Sequence, residues 1–292
     1  MKRRFDLPED LYPFKSHWHE VDGLPVHYID EGQGEPLLFF HGNPTWSLLY
    51  RDIVKGLRDR YRCIAVDYPG MGLSGKPREH GHPEYGFTPA EHSRAIQDLV
   101  EALDLRDLTV MVQDWGGPIG LGVATRASER IARVVIGNTW AWPMNDWKVW
   151  MFSNGLGKGI GRQLILRRNL FVEKLLPAGV NRRERLTPEV MAAYRGPYPT
   201  AIDREPTAVF PREILGSIDY LEEVEGGLGK LADKPIQIVW GNKDAVFGKR
   251  ELNRWKEIFP RARARILDGA NHFIQEDAPE AIVEELNAFL ST

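Results

Sequence analysis

The sequence predicts an α/β protein built on a mostly parallel sheet with helices on its faces. Short apolar runs recur without polar–apolar alternation, most are bounded by Gly, Asp or Asn, and several alternate with helical patterns. Strands that are buried on both faces of a parallel sheet have this composition. Between residues 141 and 212 no strand pattern is found, which indicates an inserted helical unit. The apolar runs lie at residues 37–40, 63–66, 109–112, 134–136, 236–239 and 264–267.

The first two strands are expected to form an antiparallel hairpin before the parallel part of the sheet begins. Residues 17–21 and 26–29 have strand character, and they flank residues 22–25 (Asp-Gly-Leu-Pro). Those four residues have the composition of a hairpin turn.

Two helices have clear sequence signals. Thr88 and Glu91 have the spacing of a capping box, and Pro89 occupies the first helical position. Apolar residues then recur on one helix face up to residue 103. The last helix is expected to begin near Pro279 and to bury positions 282, 286, 289 and 290.

The segment from residue 141 to residue 212 predicts a helical cap inserted in a core domain made of residues 1–140 and 213–292. Ligands of open α/β sheets bind beyond the carboxyl ends of the strands, where such a cap would close a pocket. We expect the aromatic residues of the cap to line an apolar cavity. Alternatively, they join the cap to the core. They are Trp142, Trp147, Trp150, Phe152 and Phe171.

Composition limits the classes of partner. The 292 residues include 38 basic and 41 acidic ones, for a net charge of -3, and no basic run is long enough to predict nucleic-acid or membrane binding. Cys63 is the single cysteine, which excludes an intrachain disulfide and a thiolate metal cluster. We find no signal-peptide pattern and no run of roughly 20 apolar residues for a membrane span. We therefore expect a cytoplasmic protein without cofactors. The sequence leaves open whether the protein forms a homo-oligomer.

The most informative segment is residues 113–117 (Gln-Asp-Trp-Gly-Gly), which separates an apolar β-branched run from a small-residue helical pattern. A strand that enters a helix through glycines is the setting of a nucleophile elbow, which presents one side chain above a parallel sheet. Here that side chain is the carboxylate of Asp114. An aspartate suits attack on a saturated carbon with a leaving group, which forms an alkyl ester that water cleaves. The alternative is an Asp that serves only a turn or a helix N-cap.

An anion hole is predicted beside this elbow. Residues 41–44 (His-Gly-Asn-Pro) directly follow the third strand pattern. In α/β hydrolases this loop supplies one backbone N–H to the anion hole, and the residue after the nucleophile supplies another. Those donors would be at Asn43 and Trp115, whereas His41 is expected to shape its loop.

An acid and a histidine follow the last two strand patterns. Asp244 comes after residues 236–239, and His272 comes after residues 264–267. Together with Asp114 they give the chain order nucleophile, acid, histidine that α/β hydrolases use. Alternatively, Asp244 is the N-cap of the helix that follows it.

On these residues the chain resembles a haloalkane dehalogenase of the α/β-hydrolase superfamily. The likeness covers nearly the whole length and is most specific at residues 41–45 (HGNPT), 112–117 (VQDWGG) and 269–273 (GANHF). It implies an α/β-hydrolase fold: a mostly parallel eight-stranded sheet flanked by helices, with an inserted helical cap. It also implies a small apolar halogenated substrate and a halide ion as partners, and no cofactor. Val112 departs from the generic elbow, which has a small residue at that position.

The resemblance implies roles for five residues. Asp114 would displace the halide and form an alkyl ester, and His272, oriented by Asp244, would activate the water that opens the ester. Asn43 and Trp115 would hold the halide with the side-chain amide N–H and the indole N–H.

Asn138 bears on the position of the acid. Some members of the family place a Glu after the sixth strand and others place an Asp after the seventh. Asn138 occupies the sixth-strand position and cannot ionise, so the acid is expected at Asp244. Asn43 and Trp115 as halide donors, together with an Asp after the seventh strand, resemble the third subfamily.

Two other functions remain open. An epoxide hydrolase shares the fold and the Asp nucleophile and needs acids in the cap, for which Tyr194, Tyr198 and Tyr220 are available. The amide of Asn43 favours the dehalogenase, because an amide donor helps a departing halide. A catalytically silent ligand-binding protein is disfavoured by the complete triad, and a serine esterase is disfavoured because the elbow has no hydroxyl.

Overall fold

A mixed eight-stranded sheet organises the chain. The computed structural model describes residues 3–291. The strand order is β1-β2-β4-β3-β5-β6-β7-β8. The first two strands are antiparallel to their neighbours and the other strands are parallel, which confirms the predicted fold class. The strands are β1 (Ser16–Val21), β2 (Leu24–Glu31), β3 (Pro36–Phe40), β4 (Arg62–Val66), β5 (Leu108–Asp114), β6 (Ile131–Thr139), β7 (Ile236–Gly241) and β8 (Arg263–Leu267).

Twelve α-helices accompany the sheet within residues 3–291. Helix α1 packs against α12, whereas α2 and α9 pack against α3. The helices are α1 (Arg51–Leu57), α2 (Pro89–Ala102), α3 (Gly116–Arg126), α4 (Trp147–Gly157), α5 (Gly159–Arg168), α6 (Leu176–Ala178), α7 (Pro188–Arg195), α8 (Glu205–Gly216), α9 (Ile218–Gly227), α10 (Lys249–Ile258), α11 (Ile274–Asp277) and α12 (Pro279–Leu290).

The predicted helix signals are confirmed. The Thr88 side chain accepts from the Glu91 backbone N–H, and the Glu91 carboxylate accepts from the Thr88 backbone N–H, which completes the capping box of α2. Helix α12 begins at Pro279 and buries the four apolar positions expected of it. Cys63 is fully buried in β4, as its apolar surroundings predict.

The hairpin turn is shorter than the sequence predicts. Val21 pairs with Leu24, so only Asp22 and Gly23 form the loop, and Pro25 lies inside β2. Both loop residues have positive φ, 51° and 80°. Two-residue hairpin loops of this kind match the right-handed twist of the strands they join.

The expectation that the residues of strand β8 are buried on both faces is wrong. Arg263 to Ile266 are exposed, and only Leu267 is buried. The physical reason is that β8 is the last strand of the sheet and has a neighbour on one side alone. Arginines suit such an edge because exposed charges discourage pairing with another strand.

The segment between β6 and β7 is helical, as expected of a cap. Helix α4 packs against α5 and α8. Residue 212, where the sequence places the end of the cap, lies inside α8, and the following helix α9 packs against α3 of the core. None of the described helices is long and apolar enough to cross a membrane.

The aromatic residues of this segment do not form one cavity lining. Trp147, Trp150 and Phe152 are exposed on α4, so the expectation is wrong for them. Trp142 instead packs on Trp255 of α10 with ring centroids 4.9 Å apart, which matches the alternative that aromatics join this segment to the core. The sequence does not reveal which face of α4 meets the protein.

Candidate active site

Asp114 lies at the sharp turn between β5 and α3. Its φ is +51°, a left-handed conformation that is rare for a residue other than glycine. The turn fits only because glycines follow: a Cβ on Gly116 would lie 2.2 Å from the Phe40 carbonyl oxygen, and one on Gly117 would lie 1.9 Å from Thr139 Oγ1. A non-glycine residue in this conformation after a buried strand is the geometry of a nucleophile elbow.

The Asp114 carboxylate is held between two groups. Oδ1 accepts a hydrogen bond of 2.7 Å from the Asn43 backbone N–H, and Oδ2 lies 3.4 Å from His272 Nε2. A Cβ on Gly42 would lie 2.2 Å from Oδ1, so the loop after β3 approaches as closely as it does because residue 42 is glycine. Asp114 is buried, which strengthens these electrostatic contacts relative to water.

The acid and the histidine are also in contact. His272 Nδ1 lies 3.0 Å from Asp244 Oδ2, and Asp244 Oδ1 accepts a hydrogen bond of 2.7 Å from the Val246 backbone N–H. Asp244 is not the N-cap of the next helix, because α10 begins at Lys249 with Gly248 at the cap. Asp244, His272 and Asp114 therefore form a continuous chain of contacts.

Asn138 is part of this chain, which the sequence did not indicate. Its Nδ2 donates to Asp244 Oδ2 and to the Gly241 carbonyl, both at 3.0 Å, and its Oδ1 accepts from the Gly241 N–H at 2.7 Å. Asn138 thus joins β6 to the end of β7 and fixes one oxygen of the acid. The sequence showed only that this position cannot ionise.

Gln113 is a second residue that sequence reasoning missed. Its Nε2 donates to the His272 carbonyl at 3.0 Å and lies 3.4 Å from His272 Nε2. The amide therefore ties the histidine loop to the residue that precedes the elbow. Its place beside Asp114 in the chain is the one signal that could have indicated it.

The charges around His272 set its protonation. Burial acts to lower its pKa, but the Asp244 charge and the hydrogen bond and charge of Asp114 outweigh burial and raise the pKa from 6.5 to about 10. In the free protein the two acidic neighbours therefore favour the protonated form of His272.

The two predicted halide donors lie beside the nucleophile. The Trp115 ring is fixed between Trp140, at 4.7 Å edge to face, and Phe210, at 4.9 Å. Within the described part of the chain its indole N–H has no acceptor. The Asn43 Nδ2 donates one hydrogen to the Thr207 carbonyl at 3.2 Å, so its second hydrogen is available.

His41 shapes its loop, as expected. It is fully buried, its Nδ1 donates to the Gly42 carbonyl at 2.9 Å, and its ring stacks on Tyr68 at 4.0 Å. Burial lowers the pKa of His41 from 6.5 to about 4, so the ring is neutral.

Other candidate binding features lie away from the triad. Two surface depressions are present. One, of about 370 Å³, is lined by residues of α2, α3 and α9. The other, of about 320 Å³, is lined by residues 232–236 and 258–262. Within residues 3–291 no group of three or more His, Cys, Asp and Glu side chains is arranged to hold a metal ion.

Comparisons with known proteins identify the family of the chain. The model of the alpha/beta hydrolase fold family matches residues 35–279. Over 283 residues the chain is 44% identical to haloalkane dehalogenase 2 of Mycobacterium tuberculosis, covering 95% of this chain and 96% of that protein. It is 35% identical to the cis-3-alkyl-4-alkyloxetan-2-one decarboxylase of Shewanella oneidensis, covering 97% and 90%. The crystal structure of haloalkane dehalogenase DbeA from Bradyrhizobium elkani has a TM-score of 0.86 and 27% identity, covering 95% of this chain and 98% of that chain.

Fold and site together define an α/β hydrolase with a carboxylate at the elbow. Within that class, the chain belongs to the haloalkane dehalogenase family, whose enzymes are hydrolases that act on carbon–halide bonds.

Proposed function

We propose that this chain is a cytoplasmic enzyme that hydrolyses small apolar haloalkanes to an alcohol and a halide ion. The observation that carries the proposal is the Asp114 carboxylate, which lies on a strained elbow between the Asn43 N–H and His272 Nε2. A carboxylate at this place attacks a saturated carbon, whereas a serine would attack an acyl carbon.

The first step is displacement. Asp114 Oδ2 forms a bond to the carbon, and the carbon–halogen bond breaks with its electron pair leaving on the halide. The indole N–H of Trp115 and the free amide hydrogen of Asn43 meet the growing negative charge. Preorganised donors in a site shielded from water lower the barrier, each by about 3 kcal/mol in comparable oxyanion holes.

The second step is hydrolysis of the ester. His272 takes a proton from water, and the oxygen attacks the Asp114 carboxyl carbon, which releases the alcohol and restores the carboxylate. Charge then develops on the oxygen that the Asn43 backbone N–H already contacts at 2.7 Å. Asp244 holds the imidazole in position and stabilises its charged form.

Charge also orders the two steps. In the free enzyme the carboxylates of Asp114 and Asp244 raise the pKa of His272 to about 10. Esterification removes the Asp114 charge, so the pKa of His272 falls, and the imidazolium releases its proton to solvent and becomes a base once the ester exists. The base is thus generated when it is needed.

Trapping the ester tests this mechanism. His272→Phe should still release one bromide per enzyme from a bromoalkane, and mass spectrometry should find one alkyl group on the peptide that contains Asp114. The His272→Phe/Asp114→Asn variant is the matched control and should stay unmodified. An unmodified His272→Phe enzyme without bromide release would contradict the assignment of the nucleophile.

We further propose that the chain belongs to the third subfamily. Asn43 and Trp115 as halide donors, with Asp244 following β7, support this assignment. Asn43→Ala and Trp115→Phe should each slow carbon–halogen cleavage by about a hundredfold or more. Bromide should quench the tryptophan fluorescence of the wild type. At the same bromide concentration, the fluorescence of Trp115→Phe should be quenched less.

The contacts of Tyr194 and Tyr220 favour a dehalogenase over an epoxide hydrolase. The Tyr194 hydroxyl donates to Glu276 Oε1 at 2.5 Å, and the Tyr220 hydroxyl donates to the Pro118 carbonyl at 2.8 Å. Both hydroxyls are therefore engaged with groups outside the triad. Tyr198 is fully buried beside the Lys76 ammonium, 5.5 Å from its ring centre. An epoxide hydrolase would form diols from epoxides and would tolerate Asn43→Ala.

A second candidate is a four-membered lactone decarboxylase, supported by the relative from Shewanella oneidensis. Asp114 would attack the ring carbon that carries the ester oxygen and open the ring to a free carboxylate. Loss of carbon dioxide would then supply the electron pair of a new C=C bond and expel Asp114. Because no water reacts, His272→Phe should retain this activity, whereas its dehalogenation should stop after one bromide per enzyme. Alkene and carbon dioxide from an oxetan-2-one, without halide release from bromoalkanes, would establish this function.

A further inference from the structure

Helices α4 and α5 expose an apolar surface that the proposed reaction does not use. On α4, Trp147, Trp150 and Met151 are spaced by three and four residues, so they lie on one face. On α5, Ile160 and Leu164 have the same spacing, and the two helices pack together. Isolated exposed apolar residues need no explanation, but contiguous ones indicate an interaction site. We call Trp147, Trp150, Met151, Phe152, Ile160 and Leu164 the α4–α5 surface; they are 41–81% exposed.

Basic side chains flank this surface. Residues 147–172 contain five basic residues and no acidic residue, although the whole chain has a net charge of -3. Within the described residues none of the five forms an ion pair, whereas Arg51, Arg185 and Arg250 elsewhere contact carboxylates. The five are Lys148, Lys158, Arg162, Arg167 and Arg168.

Three kinds of partner could meet such a surface. A symmetric contact with a second copy would bring the two sets of positive charges together, and like charges across an interface are costly. Single-stranded nucleic acid stacks on aromatic rings, but Met151, Ile160 and Leu164 offer no ring. An anionic lipid surface suits both the apolar residues and the basic residues that flank them, since tryptophans favour the headgroup region and basic residues contact lipid phosphates.

We propose that the α4–α5 surface docks the protein peripherally on an anionic lipid bilayer. Trp147, Trp150 and Ile160 enter the boundary between headgroups and acyl chains, while the basic residues remain at the phosphates. Lys148 lies 5.9 Å from the Trp147 ring centre, so one cation and one aromatic ring already form a pair at the contact. This interaction differs from the sequence-based expectation, which considered only basic runs and spanning segments.

Sedimentation with vesicles tests the proposal. The wild type should bind vesicles of phosphatidylcholine with about one third phosphatidylglycerol and should not bind phosphatidylcholine alone. Trp147→Ser/Trp150→Ser should weaken binding by about tenfold or more. Each of Lys158→Gln and Arg168→Gln should weaken it by about fivefold, the share of one basic residue near such a surface.

Matched controls separate docking from unfolding and from nonspecific adhesion. Ile202→Ser removes an equally exposed apolar residue outside the α4–α5 surface and should bind like the wild type. All variants should keep the wild-type unfolding temperature, because the changed side chains are exposed. Brominated lipids should quench Trp147 and Trp150, so Trp147→Phe/Trp150→Phe should lose that quenching.

Three results would overturn the proposal. The first is equal binding to both vesicle types. The second is binding that Trp147→Ser/Trp150→Ser leaves unchanged. The third is a concentration-dependent oligomer without lipid that the same double variant dissociates, since the surface would then serve a second copy of the chain.

Discussion

Asp244→Asn tests the charge arrangement of the site most directly. The Val246 N–H donates to Asp244 Oδ1, so an asparagine would keep its oxygen there and place its amide where Oδ2 now lies. That position faces His272 Nδ1 and the Nδ2 of Asn138, each at 3.0 Å. The introduced amide N–H₂ would face two hydrogen-bond donors, His272 Nδ1 and Asn138 Nδ2. His272 would then have to carry its proton on Nε2 instead of Nδ1. An imidazole protonated at Nε2 cannot accept a proton from water there.

The expected loss is large and confined to one step. The same change in a serine-protease triad lowers turnover by about 10⁴, which corresponds to about 5.5 kcal/mol. Halide displacement does not need a base, so Asp244→Asn should still release one bromide per enzyme in a rapid burst. Rapid-quench kinetics with a bromoalkane would measure both phases. A steady-state rate within tenfold of the wild type would refute the role of Asp244.

A second substitution tests the geometry of the acid site. In Asp244→Asn/Asn138→Asp the carboxylate and the amide exchange places across their hydrogen bond. The negative charge then lies one hydrogen bond farther from His272, so part of the hydrolysis rate should return. Asp268→Asn is the control, because Asp268 is exposed and contacts Asn242 instead of the triad. Asp268→Asn should therefore stay active. An inactive Asp268→Asn, or a double variant no faster than Asp244→Asn alone, would contradict this account.

Three further changes should have distinct effects. Gly42→Ala should place a methyl group against the Asp114 carboxylate and lower turnover by about a hundredfold without unfolding the protein, as kinetics and circular dichroism would show. Glu276→Gln should leave the buried Arg51 charge with only the more distant carboxylate of Asp52, at 3.7 Å, and lower the free energy of unfolding by about 3–5 kcal/mol in urea titrations; a loss below about 1 kcal/mol would contradict this. Single-turnover ester hydrolysis should slow as pH falls, because only neutral His272 accepts a proton, and its midpoint should lie below the free-enzyme pKa of about 10 because the ester has lost the Asp114 charge; a flat profile would refute this.

The fold was predictable because its signals are local. Apolar runs bounded by Gly, Asp and Asn indicated the inner strands, and the capping box at Thr88 located the start of α2. The position of a strand within the sheet depends on distant neighbours, so the exposure of Arg265 in β8 was not predictable. Likewise, the sequence identified the aromatic residues of the cap but not the direction in which each one points, and Trp150 lies at the surface.

The candidate site was predictable to the extent that its residues end strands. The carboxyl ends of parallel strands meet at one edge, so the chain order of Asp114, Asp244 and His272 implied their proximity. The supporting contacts come from pairs distant in sequence: Asn138 meets Asp244 across 106 positions, and Gln113 meets His272 across 159. Their side chains have no local pattern that distinguishes them from other buried amides.

Charge links the identity of the nucleophile to the order of the reaction. A serine at position 114 would be neutral before attack, so the charge of Asp244 alone would raise the pKa of His272. The aspartate adds a second carboxylate 3.4 Å from Nε2, which in the proposed mechanism favours the protonated histidine until alkylation would remove that charge. In the mechanism that we propose, the same residue would therefore attack the carbon and delay the base until there is an ester to hydrolyse.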